Sequence, residues 1–288
     1  MKINILTIFP EMFAPLKESI LGRAEERGII DFNIVDVREF SLDKHKKTDD
    51  YSFGGGQGMV FMPQPAFDAL KSVGAEYTRN IYMSPRGRVL DMTLALELAE
   101  HLQKPSDEAR DITIFCGHYE GIDQRIIDHW NMEEVSIGDY ILTGGELAAM
   151  VLVDTVTRLI PGVLGEENSA MDESIYSGLL EYPHYTQPRD YDGIKAPDIL
   201  LSGNHKEIEL WRFRESVKLT KKRRPELLKA FLKNHDELAK EELAVLMDEL
   251  NKKEMELLEK HLSEKERKGL SRVIEKREKL AKNIKKLL

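Results

Sequence analysis

Apolar residues over the first 160 positions fall into short β-branched runs, and between these runs they recur at three-four spacing. KINILTIF (2–9), DFNIVDVREF (31–40), the run ending in YMSPRGR (82–88), DITIFC (111–116) and MEEVSIG (132–138) read as strands. PEMFAPLKESILGRAEERG, closing at Gly28, a stretch beginning near Ile122, and LAAMVLVDTVTRLI after about Glu146 read as helices. The last is apolar on nearly every face, which predicts burial. Strand and helix in alternation predict an α/β fold with a mostly parallel sheet. From Pro161 to about Gly203 the helical period is lost and Gly, Pro, Ser and Asp recur, the mark of a long functional or mobile segment. After SGNH (202–205) the chain is helical and charged to its end. Leu243, Leu246, Leu250 and Leu257, then Leu270, Val273, Leu280, Ile284 and Leu287 keep a three-four spacing, with Ser263 and Glu266 between them as a candidate capping box. This tail reads as a helical hairpin or a partner-facing helix pair, against the alternative of a solvated extension. The expected division is therefore 1–160 (α/β), 161–203 (linker), 204–235 (small helical domain) and 236–288 (charged helical extension). No internal repeat is present.

Two glycine-bearing turns, CGHYEGID (116–123) and SIGDYILTGGE (136–146), stand where a strand hands over to a helix, and YMSPRGR is a third strand-and-turn. Glycines at 117, 121, 138, 144 and 145 let a ligand approach the backbone, whose N–H and C=O groups can then read its polar edges. Open α/β sheets bind ligands beyond their strand ends. Three such turns together point to a small-molecule cradle made largely of main chain; any one alone reads as an ordinary turn.

The 288 residues suffice for one large domain or two smaller ones. A single cysteine excludes an internal disulfide and predicts a reducing, cytoplasmic setting. No segment approaches an uninterrupted membrane span. The net charge of −9 conceals an asymmetry: residues 206–288 hold 24 Lys+Arg against 17 Asp+Glu, or +7, and the remainder 18 against 34, or −16. That is compatible with a polyanion gripped by the second part and modified by the first. KLTKKRRPELL, with Lys218, Lys221, Lys222, Arg223 and Arg224, is either a phosphate contact or a solvated basic helix end.

Other chemistries fail on their spacing. FGGGQGM (53–59) lacks the Lys-Ser/Thr pair of a P-loop, and no GxGxxG follows a strand. Cys116 and His118 could share one side of a strand end, yet with no second cysteine or suitably spaced histidine a buried structural thiol is favoured over a nucleophile or metal ligand.

CGHYEGID, SIGDYILTGGE, the helix carrying Arg158, IPGVLG (160–165), GLLEYPHYTQP (178–188), LLSGNH (200–205), LWRFR (210–214) and RRPELL (223–228), in this order, resemble the bacterial tRNA (guanine-N1)-methyltransferases that act on guanosine 37. IFPEMF (8–13), FGGGQGM and YMSPRGR extend the resemblance to nearly everything up to about residue 230. It implies a SPOUT-class enzyme: an α/β domain with a deep trefoil knot, a flexible linker, a small all-helical C-terminal domain, and a homodimer with its active sites at the subunit interface. Nothing in composition or periodicity shows the knot, which general rules of chain topology disfavour. By resemblance, S-adenosylmethionine lies against Tyr82, Met83, Pro85, Gly117 and Glu120, and against Ser136, Ile137, Gly138, Asp139, Tyr140, Ile141, Leu142, Gly144 and Gly145.

Guanine N1 carries a proton, so methyl transfer to it needs a base near N1 and a positive group where charge grows on O6. The family's base is an aspartate in an Asp-Ser-Phe segment of the linker. Here MDESIYSG puts Glu173 at that place, with Asp172 directly before it and Ile175 in place of the aromatic. Either carboxylate could serve, Glu173 being favoured, and both could instead be a solvated acidic loop. Arg158 matches the family's arginine; read without the family, it is a surface ion-pair partner. Gly58 matches a position near the target guanine, where a missing side chain admits a flipped base. Asp49, Ser169 and Asn204 are candidate polar contacts to tRNA, and Arg223 and Arg224 candidate phosphate contacts. Gln187 stands where the family often has arginine. The family also uses magnesium, for which the sequence offers no ligand cluster. Two other readings stay open: a non-catalytic RNA-binding protein that has lost the base, and a knotted methyltransferase for another RNA base or a ribose hydroxyl. The three cofactor turns weigh against the first, and GGGQGM, SGNH and RRPELL against the second.

Overall fold

The computed structural model describes residues 1–105, 111–164, 178–235 and 237–287, in two compact units, Met1–Ala170 and Met171–Leu288. The first unit contains β1 (Lys2–Thr7), α1 (Ser19–Glu26), β2 (Asp31–Asp36), β3 (Asp49–Asp50), β4 (Val60–Phe61) and α2 (Pro63–Ser72), followed by β5 (Arg79–Val89), α3 (Met92–Leu102), β6 (Ile112–Phe115), α4 (Gln124–His129), β7 (Glu133–Ser136) and α5 (Glu146–Thr157). Its central sheet is parallel throughout, in the order β2-β1-β6-β5-β7. Successive side chains alternate between two cores. Ile3 and Ile5, Ile81 and Met83, and Ile112 and Ile114 pack on the side of α1, α3 and α5. Leu6, Tyr82 and Phe115 pack with Phe61 and the residues of α2 and α4. Within the sheet a polar row runs from strand to strand. Asn33 donates to Asn4 (2.8 Å), Asn4 to Thr113 (3.2 Å), and Thr113 meets Thr78 (2.8 Å). Because a buried amide or hydroxyl left unpaired is costly, this row penalises any slip in strand register.

Several boundaries differ from the expected ones, each for a local reason. The helix expected over 10–28 is a 3-10 segment, Pro10–Lys17, followed by α1. Pro15 lies inside the first segment and has no N–H for a longer helix. Gly22 then lies so close to the Lys17 carbonyl that a Cβ would stand 2.1 Å from its oxygen. The run 31–40 turns into a 3-10 segment after Asp36, whose carboxylate accepts from the Arg38 N–H. On α5, Leu147 and Val151 remain 47% and 46% exposed at i and i+4, so this helix, expected to be buried all round, has one apolar face open in the single chain.

β5 does not end at its turn. Met83 and Arg88 both register with Val135, so residues 84–87 bulge out of the ladder before pairing resumes. Gly87 makes the bulge feasible: a Cβ there would stand 2.2 Å from the Glu134 carbonyl carbon and 2.4 Å from the Val135 nitrogen.

The second unit begins its described part with a hairpin, β8 (Asp190–Tyr191) and β9 (Ile194–Lys195), within the stretch expected to lack helix. It continues with α6 (His205–Arg223), α7 (Pro225–Asn234), α8 (Lys240–Glu249), α9 (Lys252–His261) and α10 (Glu264–Leu287). The tail is thus three helices rather than a pair, because two reciprocal caps interrupt it. Asn251 and Glu254 cap α9, and Ser263 and Glu266 cap α10, the box read from the sequence. Leu228, Phe231 and Leu232 of α7 share one core with Leu243, Leu246, Leu258 and Leu270 of α8 to α10. Glu266 is 4% exposed, accepts from the Leu238 and Ser263 N–H groups, and faces buried His235 at 3.3 Å. Burial pushes its carboxyl up, but these bonds and the imidazole together hold it below the ordinary value.

Gly87→Ala is expected to lower the urea midpoint of the first unit by the equivalent of roughly 1–3 kcal/mol, the usual cost of overpacking; an unchanged midpoint would show the bulge to be compliant. Glu266→Ala leaves Nε2 of the buried His235 imidazole and two N–H groups unmatched, and is expected to cost roughly 3–5 kcal/mol in the second unit. Since the Glu266 pKa is depressed on folding, its contribution is present at neutral pH and fades as pH falls below about 4.3. Acid titration of wild type and variant should therefore converge there.

Candidate active site

The cleft lies at the C-terminal ends of β6 and β7 and at the bulge of β5, and its volume is about 370 Å³, within the range of small-ligand sites. Four backbone stretches line it, 82–85, 117–121, 135–138 and 140–145, together with Ala148 of α5. Thirteen of the fourteen cofactor candidates read from the sequence therefore meet in one place; exposed Asp139 does not line it. Tyr119, Val135 and Ala148, which sit within or beside the same motifs, were not singled out by the sequence, and His118 was weighed there only as a thiol or metal partner.

Backbone contacts hold the lining in shape. The Gly145 N–H donates to the Gly117 carbonyl at 2.8 Å. A Cβ on Gly145 would stand 3.0 Å from Cys116 Cα, and one on Gly117 would stand 2.7 Å from the Tyr82 ring. Gly138 adopts φ 143°, open to glycine, with the Tyr140 ring over it and the Tyr140 hydroxyl donating to the Ile137 carbonyl at 3.1 Å. Tyr119 holds a left-handed φ of 63°, a strained state for a bulky residue that recurs at ligand sites. Burial pushes the Tyr82 phenol above its ordinary value, so it is a neutral donor at physiological pH.

Under the cleft lies Glu146, which the sequence marked only as the start of a helix. It is 2% exposed, accepts from the Thr7 hydroxyl at 2.9 Å, and brings its other oxygen within 4.0 Å of His118 Nδ1. Its place in the first turn of α5 sets a carboxylate against the positive end of the helix. Cys116 is fully buried; burial first, and Glu146 second, push its thiol well above the ordinary range. It is an inert structural thiol, not a nucleophile.

The glycine loop is tied to this rim. The Phe61 N–H donates to the Gly121 carbonyl and the Glu120 N–H to the Met59 carbonyl. A Cβ on Gly58 would fall 2.4 Å from Glu120 Cγ, so Gly58 and the cleft are neighbours. Asp49 lies on the same ribbon, opposite Phe61. Arg158, the residue after α5, does not line the cleft; it stands twelve residues beyond Glu146, roughly 18 Å of helix. In the second unit the Asn204 side chain caps α6 and Arg224 pairs with Glu226. Arg223 is exposed and has no ion pair among the described residues. Glu173, Asp172 and Ser169 lie outside the described residues. Among those described, no three His, Cys, Asp or Glu side chains are grouped to hold a metal.

Residues 1–230 match the family described as tRNA (Guanine-1)-methyltransferase TrmD. The chain belongs to this family. A tRNA (guanine-N(1)-)-methyltransferase of Alkaliphilus metalliredigens (strain QYMF) is 54% identical over 235 residues, 80% of this chain and 92% of the relative. Proteins with the same name from Clostridioides difficile (strain 630) and Endomicrobium trichonymphae are 50% and 51% identical, each over 80% of this chain and over 98% and 100% of their own lengths. The family match thus ends before α8, and α8 to α10 lie beyond it.

With its thiol buried and its pKa raised, Cys116 is expected to resist iodoacetamide in the native protein at pH 8 and to react fully in 6 M guanidinium. Rapid native labelling would contradict the structural role. A raised thiol pKa favours folding below about 8.5 and less so above it, so Cys116→Ala should flatten the alkaline fall in stability.

Proposed function

We propose that this chain transfers the methyl group of S-adenosylmethionine to N1 of guanosine 37 in tRNA, protecting the reading frame in translation. The observation that carries the reading is the convergence of three glycine-bearing turns on one cleft in a chain of this family. The residues present fit the donor. The cleft has the right size, and Gly117 and Gly138 let the Tyr82 and Tyr140 rings pack against the backbone of its walls. When bound, S-adenosylmethionine supplies an electrophilic methyl on a sulfonium. The chain's own part is to hold that group in place, remove the N1 proton and balance charge on O6. Glu173, or Asp172 beside it, is the base; Arg158 orients the guanine or stabilises O6. Gly58, next to Glu120 on the cleft rim, leaves room for the flipped base.

The cleft residues are taken to be laced in the SPOUT trefoil knot, and two copies to complete each site. Two features support the dimer: Arg158 lies roughly 18 Å of helix away from the start of α5, and Leu147 and Val151 leave α5 with an open apolar face. Asp49, Ser169 and Asn204 make polar contacts to tRNA in this reading, and Arg223 and Arg224 contact phosphate. No described helix is long and apolar enough to cross a membrane, and the cytoplasm is the proposed setting.

The test is transfer of labelled methyl to two tRNA transcripts that differ only in guanosine or adenosine at position 37. Label is expected in the guanosine transcript alone. Arg158→Ala is expected to lower kcat by about 10²- to 10³-fold, the scale of a lost charge-stabilising donor. Of Glu173→Gln and Asp172→Asn, the one that removes turnover while cofactor still binds identifies the base. Binding of both ligands with no label in either transcript would replace this reading with that of an RNA-binding protein.

A further inference from the structure

The extension beyond the family match is not a loose tail. Its leucines share the core of α6 and α7, and α10 lies in contact with α8, with Gly269 against a Leu243 methyl. Its charges are sorted. Carboxylates of α8 and α9 pair with basic residues: Glu241 with Lys206, Asp248 with Arg214 and Arg277, Glu254 with Lys221. Part of the cationic surface of α6 is thereby already engaged. On α10 the opposite holds. Residues 264–288 carry ten Lys+Arg and four Asp+Glu. Lys268, Arg272, Lys276 and Lys279 are all exposed and have no ion pair among the described residues. Their spacing of four, four and three puts them on one side of the helix over roughly 16 Å, opposite buried Leu270 and Val273 and flanked by Glu275.

We propose that this face of α10 binds the phosphodiester backbone of the substrate tRNA, as a surface the extension adds to the contacts at Arg223 and Arg224. The inference rests on the tRNA reading of the preceding subsection. A polyanion is the partner that four cations in a row, without an ion pair among the described residues, complement, because each phosphate they neutralise releases a counterion. Within residues 264–288 basic residues outnumber acidic ones ten to four, so this face stays positive with Glu275 beside the row.

The experiment uses the full chain and the variant Lys268→Gln/Arg272→Gln/Lys276→Gln/Lys279→Gln, with a guanosine-37 tRNA transcript as probe. The Kd is measured between 50 and 200 mM salt. If two to four phosphates are contacted, the slope of log K against log salt should be shallower in the variant by about 1.4–2.8, at about 0.7 per contact. Across that range the wild type then loses about 7- to 50-fold more affinity than the variant. The KM for tRNA should rise, while kcat at saturating tRNA and cofactor affinity stay as in wild type. Lys268→Gln/Lys276→Gln should give about half the change in slope. Equal slopes and equal KM values for wild type and quadruple variant would overturn the proposal. If at the same time Arg223→Gln weakens binding and the wild type turns over, only this inference fails; if the wild type neither binds nor methylates tRNA, the functional reading fails and takes the inference with it.

Discussion

The contact between Gly117 and Gly145 organises the first unit. One peptide donates to the other at 2.8 Å, and there is no room between them for a Cβ. Two turns far apart in sequence are thereby clamped together at the ends of neighbouring structure, one leaving β6 and the other entering α5. The cleft walls, the burial of Cys116 and the position of Glu146 under the floor all follow from that approach. A methyl group at position 145 would push at the backbone itself, which cannot rotate away as a side chain can.

The electrostatics of the site follow from the same packing. α5 begins at the clamp, so its N-terminal N–H groups would otherwise make the floor of the cleft an anion site. Glu146, held by the Thr7 hydroxyl, sets a carboxylate in that first turn and offsets its positive end. The floor is therefore suited to a ligand without a phosphate, which separates this cleft physically from the nucleotide-binding turns of other parallel α/β folds.

Much of this was legible in the sequence because the signals were local. The β-branched runs alternate cleanly, and the glycines fall at the three turns that converge. The Ser263–Glu266 cap was visible as a pair three residues apart. What was not legible depends on tertiary approach. Gly22 and Gly87 mark close contacts with backbone that no local pattern announces. Glu146 reads as an ordinary helix-start residue until the fold buries it against Thr7. The open face of α5 looked like core because Leu147 and Val151 are as apolar as their buried neighbours. Asp139 has cleft residues on both sides in sequence, yet it is exposed and does not line the cleft, which no local pattern signals.

The core of the helical unit is shared unevenly. Leu179, Val217, Leu228, Phe231 and Leu232 belong to its earlier part, and seven leucines from Leu238 to Leu270 belong to the rest. The two portions meet in one cluster, so the extension is continuous with the core of α6 and α7 and not an appendage hung beside it. A loosening of α10 would therefore be felt at Leu228 and Phe231 through the leucines they share.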